Sequence, residues 1–150
     1  MADDVLQREI HIAASPATVF AYLTEPLKMM TWMGIECDFA PEPGGAYRCN
    51  VDGENVAAGE VVELVPDRRV VYSWGWEGGE ELPPGASRVE ITLEEAAGGT
   101  RLTLRHSGLS AHLAERHGEG WDHYYARLAI AAAGGDPGPD PWIKTTTMEE

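Results

Sequence analysis

Apolar and polar positions divide this chain into segments of different period. Residues 5–12 mix apolar and polar side chains as a strand does. Ser15-Pro16 follows, a capping residue and then a proline whose missing amide hydrogen is no loss at a first helical position. A helix is therefore predicted over residues 17–23, with Val19, Phe20 and Leu23 at helical spacing. Pro26 opens a second short helix carrying Leu27, Met29 and Met30, Gly34 ends it, and residues 35–39 form a short strand. From Gly44 onward the period is two. Strands are predicted over 46–51, then 56–65 and 68–76 as a hairpin about Pro66-Asp67, then 87–94 and 101–107 as a hairpin about Gly98-Gly99. The Gly- and Pro-rich stretch 77–85 reads as a mobile loop.

The side chains fix the register of both hairpins. In the last one, pairing Val89 with His106, Ile91 with Leu104 and Leu93 with Leu102 makes one face apolar. The other face then opposes Glu90 to Arg105, Thr92 to Thr103 and Glu94 to Arg101, and a slip of one residue would scramble both. In the preceding hairpin Val61 falls beside Tyr72, Gly59 beside Trp74 and Ala57 beside Trp76, so small residues leave room for large rings. Val70, Tyr72, Trp74 and Trp76 share a face.

A long helix is predicted over residues 110–133, with an interruption expected near Gly118 and Gly120, each costing about 1 kcal/mol relative to Ala in a helix interior. Its clearest apolar stripe is Trp121, one of Tyr124 and Tyr125, Leu128 and Ala132. Gly134-Gly135 stops it. Residues 136–150 read as a loosely held tail after a domain of residues 1–135. The fold class is α+β: a curved antiparallel sheet of about seven strands wrapped around the C-terminal helix, with two short helices after the first strand. A single sheet with one apolar face must cover it, and this helix is the element long enough to do so. The space between them is where a small apolar ligand would sit.

Composition narrows the function. Eleven Lys+Arg against 25 Asp+Glu give a net charge of −14 in 150 residues, which excludes nucleic-acid binding through clustered basic residues and adsorption to anionic lipid. No apolar run is long enough for membrane insertion, the first residues are acidic where a signal peptide would be basic, and a cytoplasmic location is expected. Cys37 and Cys49 flank a turn almost symmetrically and could face each other on a hairpin, but compartment favours reduced thiols. His112, His117 and His123 do not share one helical face, so no zinc site is expected, and no phosphate loop, nucleophile elbow or dinucleotide fingerprint is present. No cofactor is expected.

A family resemblance rests on motifs that occur in order. They are Ala14-Ser-Pro-Ala-Thr-Val-Phe20, Met30-Thr-Trp-Met33, Pro43-Gly-Gly-Ala-Tyr47, Gly59-Glu-Val-Val-Glu-Leu-Val-Pro66, Val70-Val-Tyr-Ser-Trp74, Gly99-Thr-Arg-Leu-Thr-Leu-Arg-His106 and Gly120-Trp-Asp-His-Tyr124. Together they resemble the START-like, helix-grip superfamily (SRPBCC) over about residues 5–133. Within it the chain looks most like the domain similar to the C-terminal half of the heat-shock protein 90 ATPase activator. The resemblance implies the helix-grip fold, which hosts lipid carriers, hormone receptors and cyclases alike. The activator's N-terminal domain, with its basic motif, has no counterpart in this sequence, so a chaperone-stimulating role is not expected.

His106 is the most informative residue, because the register puts a polar ring on the apolar face. It must be tied to a helix or loop carbonyl, contact a ligand, or move a proton. Tyr47 and Arg48 alternate on their strand, and Arg48 is read as an outer, ion-paired residue. Indole and phenol groups pair an apolar body with a polar handle, which suits a cavity wall. Trp32, Tyr47, Trp74, Trp76, Ile91, Leu104, His106, Trp121 and Tyr125 are accordingly the candidate ligand contacts. The reading is a binding protein for a small hydrophobic or aromatic molecule. A polyketide cyclase-like enzyme and a chaperone-associated partner protein are the alternatives, and a homodimer is left open.

Overall fold

The computed structural model describes residues 4–143. Seven strands form one antiparallel sheet: β1 (Asp4–Ile12), β2 (Glu36–Phe39), β3 (Ala46–Asn50), β4 (Val56–Val65), β5 (Arg69–Trp76), β6 (Ser87–Ala96) and β7 (Gly99–Leu109). Their order across the sheet is β1-β7-β6-β5-β4-β3-β2, a meander whose first strand closes against the last. α1 (Pro16–Thr24) and α2 (Pro26–Met29) carry the chain from one sheet edge to the other, and α3 (Ala111–Ala132) packs on β1 and β7. This is the helix-grip architecture.

Local chemistry explains the boundaries. Ser15 caps α1, its hydroxyl accepting from the Thr18 amide at 3.2 Å, and Ser110 does the same for α3 through Leu113. α3 ends in a Schellman-type closure: the Gly135 amide reaches the Ile130 carbonyl and the Gly134 amide reaches Ala131, with Gly134 at φ 95°. The β6–β7 pairing has the expected register from Val89↔His106 to Glu94↔Arg101. The β4–β5 pairing holds Ala57 opposite Trp76 and Val61 opposite Tyr72, then shifts by one residue between Val61 and Glu63. A Cβ on Gly59 would overlap the Ser73 carbonyl, so the absent side chain lets the neighbouring backbone come close.

Three expectations are corrected. α3 is not interrupted at Gly118 or Gly120. Gly118 is buried where a Cβ would press on Arg8 and Leu6 of β1, so glycine here allows the helix to lie on the sheet edge. The segment after α3 is held as far as residue 143: the Arg127 guanidinium donates to the carbonyls of Pro137 and Gly138, and buried Asp140 accepts from His123 at 2.8 Å and from the Trp142 amide. Residues 144–150 of the expected tail lie outside the described residues. Finally, Cys37 and Cys49, expected to be reduced, are joined as a disulfide, because the β2–β3 register sets them directly opposite with Cα atoms 4.1 Å apart.

The core is a single cluster reaching from Ile12 and Leu6 through Leu104, Ile91 and Tyr72 to Leu128 and Trp121. α3 thus covers the face that carries Ile91 and Leu104. Among the described residues no helix is long and apolar enough to cross a membrane.

Candidate functional site

The helix and the sheet are packed solidly over most of their contact and part company at one end. There, beside the first half of α3, lies a pocket of about 520 Å³. β5 supplies Trp74 and Trp76, the β5–β6 loop supplies residues 79–82, and the β3–β4 turn supplies Val51, Asp52 and Asn55. α3 presents Leu113, His117, Gly120, Trp121 and Tyr124 along one face, spaced four, three, one and three residues apart. Trp142, after α3, completes the wall. Its ring stacks on His123 with centroids 3.7 Å apart.

The loop over residues 77–85, expected to be mobile, is anchored. Leu82 is buried, its carbonyl accepts from the Trp76 amide at 2.8 Å, and Gly75 packs so tightly on Pro83 that a Cβ would overlap the Pro83 carbonyl. Arg48 faces out, as read, and pairs with Glu77 at the start of this loop (2.7 and 3.0 Å).

Two imidazoles organise the wall, each locked in one tautomer. An indole N–H can only donate, so Trp121 fixes His106 Nδ1 as an acceptor at 3.0 Å. The Ser87 hydroxyl gives its hydrogen to the Trp74 carbonyl and therefore accepts from His106 Nε2–H at 2.8 Å. His117 is arranged the other way round: Nδ1–H donates to the Leu113 carbonyl at 2.8 Å, and Nε2 accepts from the Trp76 indole at 3.1 Å. The rings lie 5.1 Å apart and nearly perpendicular. Burial, assisted by neighbouring His117, pushes His106 down to about 3, and burial also lowers His117. His106 is therefore tied to side chains of β6 and α3, not to the helix or loop carbonyl that the sequence suggested.

Of the nine candidate contacts, Trp74, Trp76 and Trp121 border the pocket. The other six lie elsewhere. Ile91 and Leu104 fill the core under α3, and His106 stands one residue behind the wall, holding Trp121. Trp32 packs on Tyr125 with its indole donating to the Tyr22 carbonyl at 2.9 Å, and Tyr47 stacks on Tyr72 at 4.5 Å. Sequence reasoning missed Leu113, His117 and Gly120, although Leu113, His117, Trp121 and Tyr124 extend the α3 stripe by two turns toward its start.

Both imidazoles spend their lone pair on an indole donor and stay neutral at ordinary pH. Burial raises the phenols of Tyr47, Tyr72, Tyr124 and Tyr125 and keeps them protonated. A general base needs a free lone pair and a suitable pKa, and neither the histidines nor these tyrosines offer both. No group of three metal-ligating side chains occurs among the described residues. The Trp74 indole N–H is buried and makes no hydrogen bond among the described residues.

Residues 13–133 match the family described as "Activator of Hsp90 ATPase homolog 1-like protein". An AHSA1-like protein of Rhizobium etli, solved by NMR, is 51% identical, with a TM-score of 0.74 over 98% of this chain and 92% of that one. The Aha1 protein of Colwellia psychrerythraea, solved as a dimer, shares the fold at a TM-score of 0.77 and 19% identity, over 88% of this chain and 98% of that one. The human "Activator of 90 kDa heat shock protein ATPase homolog 1" is 26% identical over 112 residues, which are 74% of this chain and 31% of the human one. This chain thus spans less than a third of that curated relative.

Proposed function

We propose that this chain, which belongs to the Activator of Hsp90 ATPase homolog 1-like family, is a binding protein for a small, flat, apolar molecule held between β5 and α3. The observation that carries this reading is the helix position that borders the pocket without a side chain. A Cβ on Gly120 would meet no atom within 4 Å, so a larger residue would find space. Glycine costs a helix interior about 1 kcal/mol relative to Ala, and nothing in the packing requires it here. Keeping the pocket open gives it a purpose. The indole walls suit an aromatic ligand.

A cyclase-like enzyme fits less well, because the buried histidines and tyrosines are held in states that do not take up a proton from a substrate. A chaperone-directed role, which the human relative's name suggests, would have to be carried by under a third of that protein's length.

Two measurements test the binding reading. Native mass spectrometry of the purified protein should reveal a bound small molecule, or saturable uptake of naphthylethanol as an uncharged aromatic probe. Gly120→Leu should fill the pocket, weakening the probe at least about tenfold, the size of effect expected when apolar contact is lost to a filled cavity, while the protein stays folded. Undiminished probe binding in a folded Gly120→Leu variant would place the ligand elsewhere or nowhere.

A further inference from the structure

The mouth of the pocket carries an uneven charge. Glu80 and Glu81 stand on the β5–β6 loop and Asp52 on the β3–β4 turn, while α3 contributes one cation, Arg116. The side chains of Glu80, Glu81 and Arg116 are exposed and make no hydrogen bond or ion pair among the described residues. Asp52 already accepts from the Glu54 and Asn55 amides and from the Asn55 side chain, so the two glutamates are the carboxylates this opening offers, within a molecule of net charge −14. Below them the wall is aromatic. Trp76 meets Trp74 edge-on, at 80° and 5.3 Å, and Trp74 meets Trp121 at 50° and 5.0 Å. Rings set at such angles turn both faces and edges toward their neighbours, and the faces attract cations.

Anionic rim and indole wall favour the same ligand charge. We propose that the pocket selects apolar or aromatic molecules bearing a positive charge, an ammonium at the mouth with the hydrocarbon part inside, over neutral and anionic molecules of the same shape. This rests on the binding reading above and adds the charge of the ligand to it. An anion of equal size would face Glu80, Glu81 and the negative faces of the indoles, with Arg116 the one lining cation among the described residues. Long-range attraction by the protein's overall charge would act in the same sense on the rate of encounter.

Three probes of one skeleton separate the two ideas: naphthylethylamine, protonated at neutral pH, naphthylethanol and naphthylacetate. At low salt the amine should bind about tenfold more tightly than the alcohol, and the carboxylate more weakly than either. Raising the salt should narrow the gap between amine and alcohol and leave the alcohol's affinity nearly unchanged. The double variant Glu80→Gln/Glu81→Gln should lower the ratio of amine to alcohol affinity toward one. If the alcohol binds and the amine gains nothing over it, or if the double variant keeps the full preference, the charge inference is overturned and the binding reading stands. If no probe binds, the binding reading itself fails.

Discussion

Acid will destabilise this protein through His106 from about pH 6.5 downward, beginning above the range in which carboxylates take up protons. In the native state both ring nitrogens are engaged, Nδ1 accepting from Trp121 and Nε2–H donating to Ser87, so an added proton at Nδ1 would set one N–H against another. The folded value is lowered to about 3 from an ordinary 6.5. Above pH 6.5 the ring is neutral in both states and its contribution is fully present. As pH falls below that, the unfolded chain takes up a proton that the folded chain refuses, and stability drops by about 1.4 kcal/mol per pH unit. Across the whole window the loss is on the order of 4–5 kcal/mol, a large part of the stability of an ordinary domain. His117 is lowered in the same direction and adds to the slope. Glu77, held low by Arg48, begins to lose its contribution only as pH falls through the ordinary carboxylate value of 4.5.

Urea unfolding between pH 7 and 4.5 checks this. Wild type should lose stability steeply, and His106→Gln should lose it with about one proton less per molecule. Parallel curves would remove His106 from the account. Should the variant fail to fold, the nitrogen shifts of His106 in the wild type decide the matter, since they should report an unchanged Nε2–H tautomer at pH 5.

The second large effect belongs to Trp121. It is buried, touches Trp74 and Tyr125 with centroids 5.0 and 5.2 Å away, and holds His106. Trp121→Ala should cost about 3–5 kcal/mol, the range for deleting a large buried ring, and leave His106 Nδ1 without its donor. Trp121→Phe retains most of the bulk and loses the N–H, so it should cost less, about 1–3 kcal/mol. Equal stability of the two variants would mean that the hydrogen bond to His106, and not packing, dominates at this position.

The contrast between what the residues foretold and what they did not has physical causes. The β6–β7 register was legible because each face has its own chemistry, and a slip of one residue would set Ile91 and Leu93 opposite charged or polar partners instead of Leu104 and Leu102. His106 was placed correctly on the buried face by the same logic. Its partners were not, because Ser87 comes from the neighbouring strand and Trp121 from a helix whose rotation the strand pattern does not set. Gly118 and Gly120 were read by helix propensity alone. Tertiary structure uses the first for a close approach to β1 and leaves the second facing open space. Ile91, Leu104 and Tyr47, expected to face the space between sheet and helix, are fully packed because the two elements part only at one end. Segment 136–143 looked too rich in proline and glycine to be held, and Arg127 and His123 hold it through long-range bonds that composition does not announce.

The most direct test uses the indole N–H signals of the five tryptophans in a proton–nitrogen correlation spectrum during titration with naphthylethanol. Trp74, Trp76, Trp121 and Trp142 border the pocket, and Trp32 is turned away toward the Tyr22 carbonyl. Four signals should move along one saturable curve while that of Trp32 stays in place. Five stationary signals at saturating probe, or a Trp32 signal that moves as far as the rest, would contradict a binding pocket between β5 and α3.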